Sequence, residues 1–138
     1  SEAIKKETEE LAYGKRILCF IRHIPDNEIQ YFFNAADVVV LPYQNILTSG
    51  AAILALSYGK KVIAPKKGCL PELITEEAGH LYKTDDGLRD AMCSAIKTKD
   101  SEEVNEKALE IAESISWERV AKERYLPLIA EIERRVNQ

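Results

Sequence analysis

Two short apolar runs dominate the middle of the chain. Val38-Val39-Val40-Leu41 is stopped by Pro42, and Lys61-Val62-Ile63-Ala64 is stopped by Pro65. Continuous apolar runs of this length, without alternation, predict parallel strands buried on both faces. Between them Thr48-Ser49-Gly50 opens a small-residue helix over 49–58, which Gly59 stops. Upstream, residues 2–12 read as a helix ended by Gly14, and Arg16–Ile21 as a further strand. Pro25-Asp26-Asn27 starts the next helix with Asp26 as N-cap, and Ile29, Phe32, Phe33 and Ala36 form its inner face.

Downstream, Pro71 at a first helical position opens a short turn, Glu72–Glu76. A shorter strand follows over Gly79–Lys83, and the rest is helical: 87–97, 101–115 and 117–136. Val104, Ala108, Ile111 and Ile115 recur at helical spacing. Trp117, Val120, Ala121, Tyr125, Leu128 and Ile132 do the same in the last helix, which Ser116 caps and Pro127 should kink.

Strands alternating with helices through short connections predict a right-handed, doubly wound parallel sheet with a helical C-terminal tail, in one domain spanning 1–138. Both central strands then end at the same carboxyl edge, where such sheets bind ligands. The helix start at Thr48-Ser49-Gly50 faces that edge with free N–H groups and a positive dipole end, so it is a candidate anion site.

Composition narrows the class. The 138 residues suffice for a real core, and 46% apolar with 30% charged residues is ordinary for a soluble globular protein. A net charge of −4 argues against nucleic acid as a partner. No stretch reaches the roughly 18–20 apolar residues of a membrane span. The charged N-terminal segment does not read as a signal peptide. Cys19, Cys69 and Cys93 are distant from one another and read as reduced thiols of a cytoplasmic protein. His23 and His80 lack metal-ligand spacing, so no metal site is expected.

Several segments resemble, in order, the C-terminal, donor-binding domain of GT-B fold, family 4 (group 1) glycosyltransferases. Phe20–Ile29, FIRHIPDNEI, is similar to that family's flG-x-vp-x-eel segment, and Tyr31–Pro42, YFFNAADVVVLP, to its y-x-x-AD-x-x-v-x-P segment. Ser49–Ala64 resembles the helix and strand ending PVIA, Lys67–Ile74, KGCLPELI, the GG-x-PE loop, and Ile115–Ala121, ISWERVA, the start of the terminal helix. The resemblance covers nearly the whole chain. It implies a Rossmann-like, partial GT-B domain and transfer of a sugar from a nucleotide-sugar donor to an acceptor in glycan or polysaccharide synthesis, with retention and without a metal or other cofactor.

The resemblance also implies two gaps. The family's E-x7-E glutamates fall on Ile46 and Leu54, which cannot hydrogen-bond a hydroxyl. The first strands of the family's domain and its acceptor-binding N-terminal domain have no counterpart. The chain is therefore expected to be a truncated donor-binding piece, inactive alone, whose partners are the nucleotide-sugar and a missing acceptor domain or subunit. Contact with a membrane surface is expected only through that missing part.

By the resemblance, the base lies near Arg22, His23 and Ile24 through Pro25, the phosphates near Thr48, Ser49, Gly50 and Ala51, and the sugar near Lys66, Lys67 and Gly68 through Leu70, with Glu72 and Tyr43 also lining the donor site. No catalytic residue is assigned. Each has a plainer reading: Thr48-Ser49-Gly50 as a cap with a glycine for tight packing, Lys66 and Lys67 as a solvated pair, and Glu72 as a helix-dipole contact. Arg22 and His23 can be purely structural, and Tyr43 can belong to the core. A non-catalytic nucleotide-binding or regulatory relative is the alternative function. The apolar stripe past Pro127 should fray or self-associate.

Overall fold

The computed structural model describes residues 18–97 and 102–136. The expected helix over 2–12 lies outside them. The chain divides into two compact units, residues 1–31 and 32–138.

In the first unit, Leu18–Ile21 form no strand. Leu18 is 78% exposed, and Phe20 and Ile21 are also exposed. This corrects the strand expected over Arg16–Ile21 for its described part, since an apolar run gives a strand only where tertiary context favours one. Helix α1 spans Asp26–Ala35, with residues up to Tyr31 in this unit and the rest in the second, and begins one residue earlier than expected. Asp26 is thus its first residue rather than its N-cap. The Pro25 carbonyl accepts from the Glu28 and Ile29 N–H groups at 2.9 and 3.3 Å. Ile29, Phe32, Phe33 and Ala36 are half-buried, as the helical spacing predicts.

The second unit is mixed α/β. Strands β1 (Val38–Val40), β2 (Lys61–Pro65) and β3 (Gly79–Tyr82) form a parallel sheet in the order β1-β2-β3. Val39 pairs with Val62, Ile63 with His80, and Ala64 with Leu81. β2 is buried along its whole length. β1 is only half-buried, because it lies at an edge of this sheet; burial on both faces therefore holds for β2 and not for β1. Three strands are described where four were expected, and their order contains no reversal.

Helix α2 (Gly50–Ser57) connects β1 to β2. Its start is capped by Ser49, in extended conformation, whose hydroxyl accepts from the Ala52 N–H at 3.1 Å. Its end is a Schellman turn. Gly59, at φ +65°, donates to the Leu56 carbonyl, and Lys60 donates to that of Ala55. Helix α3 is a single turn, Leu70–Leu73, with Pro71 at its second rather than first position, and it ends before the expected Glu76. Helices α4 (Asp85–Lys97) and α5 (Glu102–Ser114) follow.

Paired residues on neighbouring strands share a face. Val62 and Ala64, with Val39, Leu41 and Leu81, face Ala52, Ala55 and Leu56 of α2, with Leu70, Ile74 and Ala108 in the same cluster. The alanines let α5 lie close across α2, and Gly59 abuts Asn105. Ile63, fully buried, points to the opposite face. There α4 packs on β2 and β3, with Gly87 against Tyr82.

Ser116 caps the last helical stretch, accepting from the Arg119 N–H at 3.3 Å. The stretch is not one kinked helix. A four-residue helix α6 (Trp117–Val120) runs into a π-turn over Ala121–Tyr125, and α7 (Leu126–Val136) follows. The Leu126 N–H reaches back five residues to the Ala121 carbonyl. The ladder is thus already widened where Pro127 supplies no donor.

Every described residue of α7 is exposed, including Leu128, Ile129, Ile132 and Val136. A chain ending at Leu126 is therefore expected to keep its stability within about 0.5 kcal/mol. Urea denaturation followed by circular dichroism checks this. Trp117 is 84% exposed, so its fluorescence would report poorly on the core. A loss of 2 kcal/mol or more would show that residues after Leu126 fold back on the sheet.

Candidate functional site

The carboxyl ends of β1 and β2 carry two loops, and the expected phosphate and sugar residues lie on them. The first starts at Pro42, where β1 loses its next donor. The Tyr43 N–H turns back to the Leu41 carbonyl at 2.9 Å. Tyr43 is half-buried against the core, and its hydroxyl lies 3.2 Å from Ser49 Oγ. Ser49 is itself buried, so its hydroxyl is used inside the fold, by Ala52 and Tyr43. This is the capping role, and it commits the Ser49 hydroxyl to partners within the fold. Thr48 is exposed.

Gly50 differs. Its φ is not positive, and a Cβ built on it meets nothing within 4 Å. Neither backbone strain nor packing requires glycine there, and at a compatible φ an alanine would stabilise by about 0.4–1 kcal/mol through the unfolded chain. The N–H groups of Gly50 and Ala51 have no hydrogen-bond partner among the described residues. The first turn of α2 therefore presents two free donors and an open approach at the positive end of a helix. No acidic side chain stands in that turn.

The second loop follows β2. Its backbone stays on the sheet for one more residue, with the Lys66 N–H donating to the Tyr82 carbonyl at 2.7 Å. Burial, and then the Asp85 carboxylate, raise the Tyr82 hydroxyl above its ordinary pKa. Lys67 reaches across to the first loop: its Nζ donates to the Gln44 carbonyl at 2.9 Å. Gly68, at φ +55°, is pressed against the Ile46 and Leu47 carbonyls, and the Cys69 N–H donates to Leu47 O at 3.0 Å. The two loops are thus joined backbone to backbone. Lys66 is exposed, and its ammonium has no partner among the described residues.

Arg22, His23 and Ile24 belong to the 1–31 unit. The Arg22 guanidinium pairs with Glu28 and donates to the His23 carbonyl. Ion pairing is a sufficient reason for that arginine. Glu72 is exposed on α3, and its N–H closes the turn on the Cys69 carbonyl at 3.0 Å. Ile46 packs against the core, and Leu54 is half-buried within α2.

Sequence reasoning missed the carbonyls of Gln44, Ile46 and Leu47 that tie the loops together. Only the glycine at position 68 hinted at a close backbone approach. It also missed a cleft of about 670 Å³, lined by Lys66, Ile74, Glu76, His80, Leu81 and Ala91 among others. Among the described residues no group of three or more His, Cys, Asp or Glu could hold a metal ion, and no helix is long and apolar enough to cross a membrane. The chain matches no family model, and no curated protein matches it.

Proposed function

We propose that this chain is a donor-binding piece of a glycosyltransferase, a doubly wound Rossmann-like domain that holds the diphosphate of a nucleotide-sugar at the start of α2. One observation carries the reading. At the carboxyl edge of a parallel sheet, the Gly50 and Ala51 N–H groups are unpaired, and Gly50 is a glycine that the fold itself does not need. Two N–H donors at a helix start suit phosphate oxygens, and absence of a Cβ lets them come close.

When the bond between the sugar's anomeric carbon and the diphosphate oxygen breaks, its electron pair leaves with the diphosphate, and negative charge grows there. Fixed donors and a cation lower the energy of that charge. Lys66 is the better candidate cation, because Lys67 is committed to the Gln44 carbonyl. No catalytic base, acceptor or anomeric outcome is assigned to residues of this chain; retention and transfer to a glycan acceptor rest on the sequence resemblance. Ile46 and Leu54, at positions where hydroxyl-binding carboxylates would be expected, favour the second reading: a nucleotide-binding relative without transfer activity.

Titration of the protein with a panel of nucleoside diphosphates, followed by amide chemical shifts, tests the site. Weak binding, high micromolar to millimolar, is expected, with the largest shifts at Gly50 and Ala51. Gly50→Val should abolish those shifts in a folded protein. Gly50→Ala should raise stability by about 0.4–1 kcal/mol while weakening binding. Unchanged binding by folded Gly50→Val would move the phosphates elsewhere. Turnover of a bound nucleotide-sugar would separate the transferase from the non-catalytic relative.

A further inference from the structure

The cleft beside β3 is not at the start of α2, and its geometry identifies a different kind of ligand. Three consecutive strand residues, Gly79, His80 and Leu81, line it. Successive strand residues point to opposite faces. Leu81 and Ile74 belong to the face covered by α2 and α3, whereas Ala91 comes from α4, on the other face. A single cleft touched from both faces must run along the outer edge of the strand.

The ladder shows what that edge offers. Val62 N–H donates to the Ala78 carbonyl and Lys66 N–H to that of Tyr82. In a parallel pair alternate residues turn their backbone groups to the neighbour, so Ala78, His80 and Tyr82 face β2. Gly79 and Leu81 face outward. The Gly79 N–H is taken by the Thr75 carbonyl at 3.0 Å, but the Leu81 N–H and carbonyl have no partner among the described residues.

We propose that this groove receives an extended peptide segment that adds to the sheet as a strand beside β3, exchanging hydrogen bonds with Leu81. A recessed edge, walled by Pro71 and Ile74 on one side and Ala91 on the other, admits a single strand. The sheet of a second copy would bring its own flanking helices against those walls. Charge selects the segment. Glu76 precedes the first strand residue of the lining by three positions, toward the groove's amino end, and Lys66, whose N–H pairs with the Tyr82 carbonyl, lies toward its carboxyl end. The lining between them is one strand long, about 13 Å for four residues. The ligand is therefore a stretch of about four extended residues with a basic side chain toward Glu76 and an acidic one toward Lys66. This inference does not rest on the nucleotide reading, although both ligands would use Lys66 and would compete for it.

Selection from a displayed octapeptide library against the whole chain tests it, with affinities then measured on synthetic copies of the selected peptides. Leu81→Pro removes the outward N–H but no bond to β2, and Leu81→Ala loses the same packing while keeping the N–H. Selected peptides should bind Leu81→Pro about tenfold more weakly than Leu81→Ala. Glu76→Lys should weaken binding of peptides carrying the basic end. Equal affinity for the two Leu81 variants, or no peptide selected above background, would overturn the proposal. If Leu81→Pro does not fold, hydrogen exchange in the wild-type protein decides: the Leu81 amide must become at least tenfold more protected when the peptide binds, and an unchanged rate rejects the strand.

Discussion

Replacing Gly79 by alanine should destabilise the protein by about 3 kcal/mol, a core-overpacking penalty at the upper end of its usual range. Gly79 does not have a positive φ, so conformational preference is not the reason. An added Cβ would lie 2.1 Å from the Val62 carbonyl oxygen and 2.9 Å from Ile74 Cγ2. Neither neighbour can yield cheaply. Val62 belongs to the fully buried central strand, held on one side by β1 and on the other by β3 itself. Ile74 is 3% exposed and part of the core cluster. Relief would require β3 to move off β2, breaking a ladder that continues to Lys66. Urea denaturation followed by circular dichroism measures the effect. A midpoint within error of wild type would mean that β3 is not paired to β2 in this register.

How far the sequence could be read depends on whether a feature is local. The fully buried β2 follows from Val62-Ile63-Ala64, and both ends of α2 follow from Ser49 and Gly59, because caps and apolar runs act within a few residues. Leu18–Ile21 carry the same apolar signal as a strand and are not one. Pairing is a tertiary event, and no local pattern specifies it. Pro127 was expected to kink the last helix, and the ladder opens instead upstream of it, at Ala121–Tyr125. A proline constrains the carbonyls before it as well as its own nitrogen.

The candidate site divides in the same way. The helix start at Ser49 and Gly50 was legible, since a small residue before a helical run at a strand end has a direct physical meaning. Whether Ser49 offers its hydroxyl to a ligand was not, because Tyr43, six residues earlier, takes up that position only through the loop's path. Lys66 and Lys67 look alike in sequence and differ in space. One ammonium ties down the Gln44 carbonyl and the other stands free among the described residues. The outward Leu81 edge depends on strand order, which alternation cannot reveal.

Gly68→Ala should cost about 2 kcal/mol and loosen the site more than the rest of the fold. Two penalties combine. At φ +55° an alanine carries roughly 1 kcal/mol of left-handed strain. Its Cβ would also lie 2.6 Å from the Ile46 carbonyl oxygen and 2.7 Å from that of Leu47. Both contacts are backbone, so the loops after β1 and β2 must separate. The bonds that join them flank this point: Lys67 Nζ to Gln44 O on one side, Cys69 N–H to Leu47 O on the other. Gly59 supplies the control. It has a similar positive φ, but its Cβ would find the Asn105 carbonyl at 3.4 Å, so Gly59→Ala should show little more than the conformational penalty, about 1 kcal/mol. The larger loss in Gly68→Ala should appear with at least tenfold faster exchange of the Cys69 amide, while the amides of β2 change only as global stability does. Equal losses in the two variants, with Cys69 exchange unchanged, would show that the loops part without cost and that Lys67 and Gln44 do not hold the sheet edge in shape.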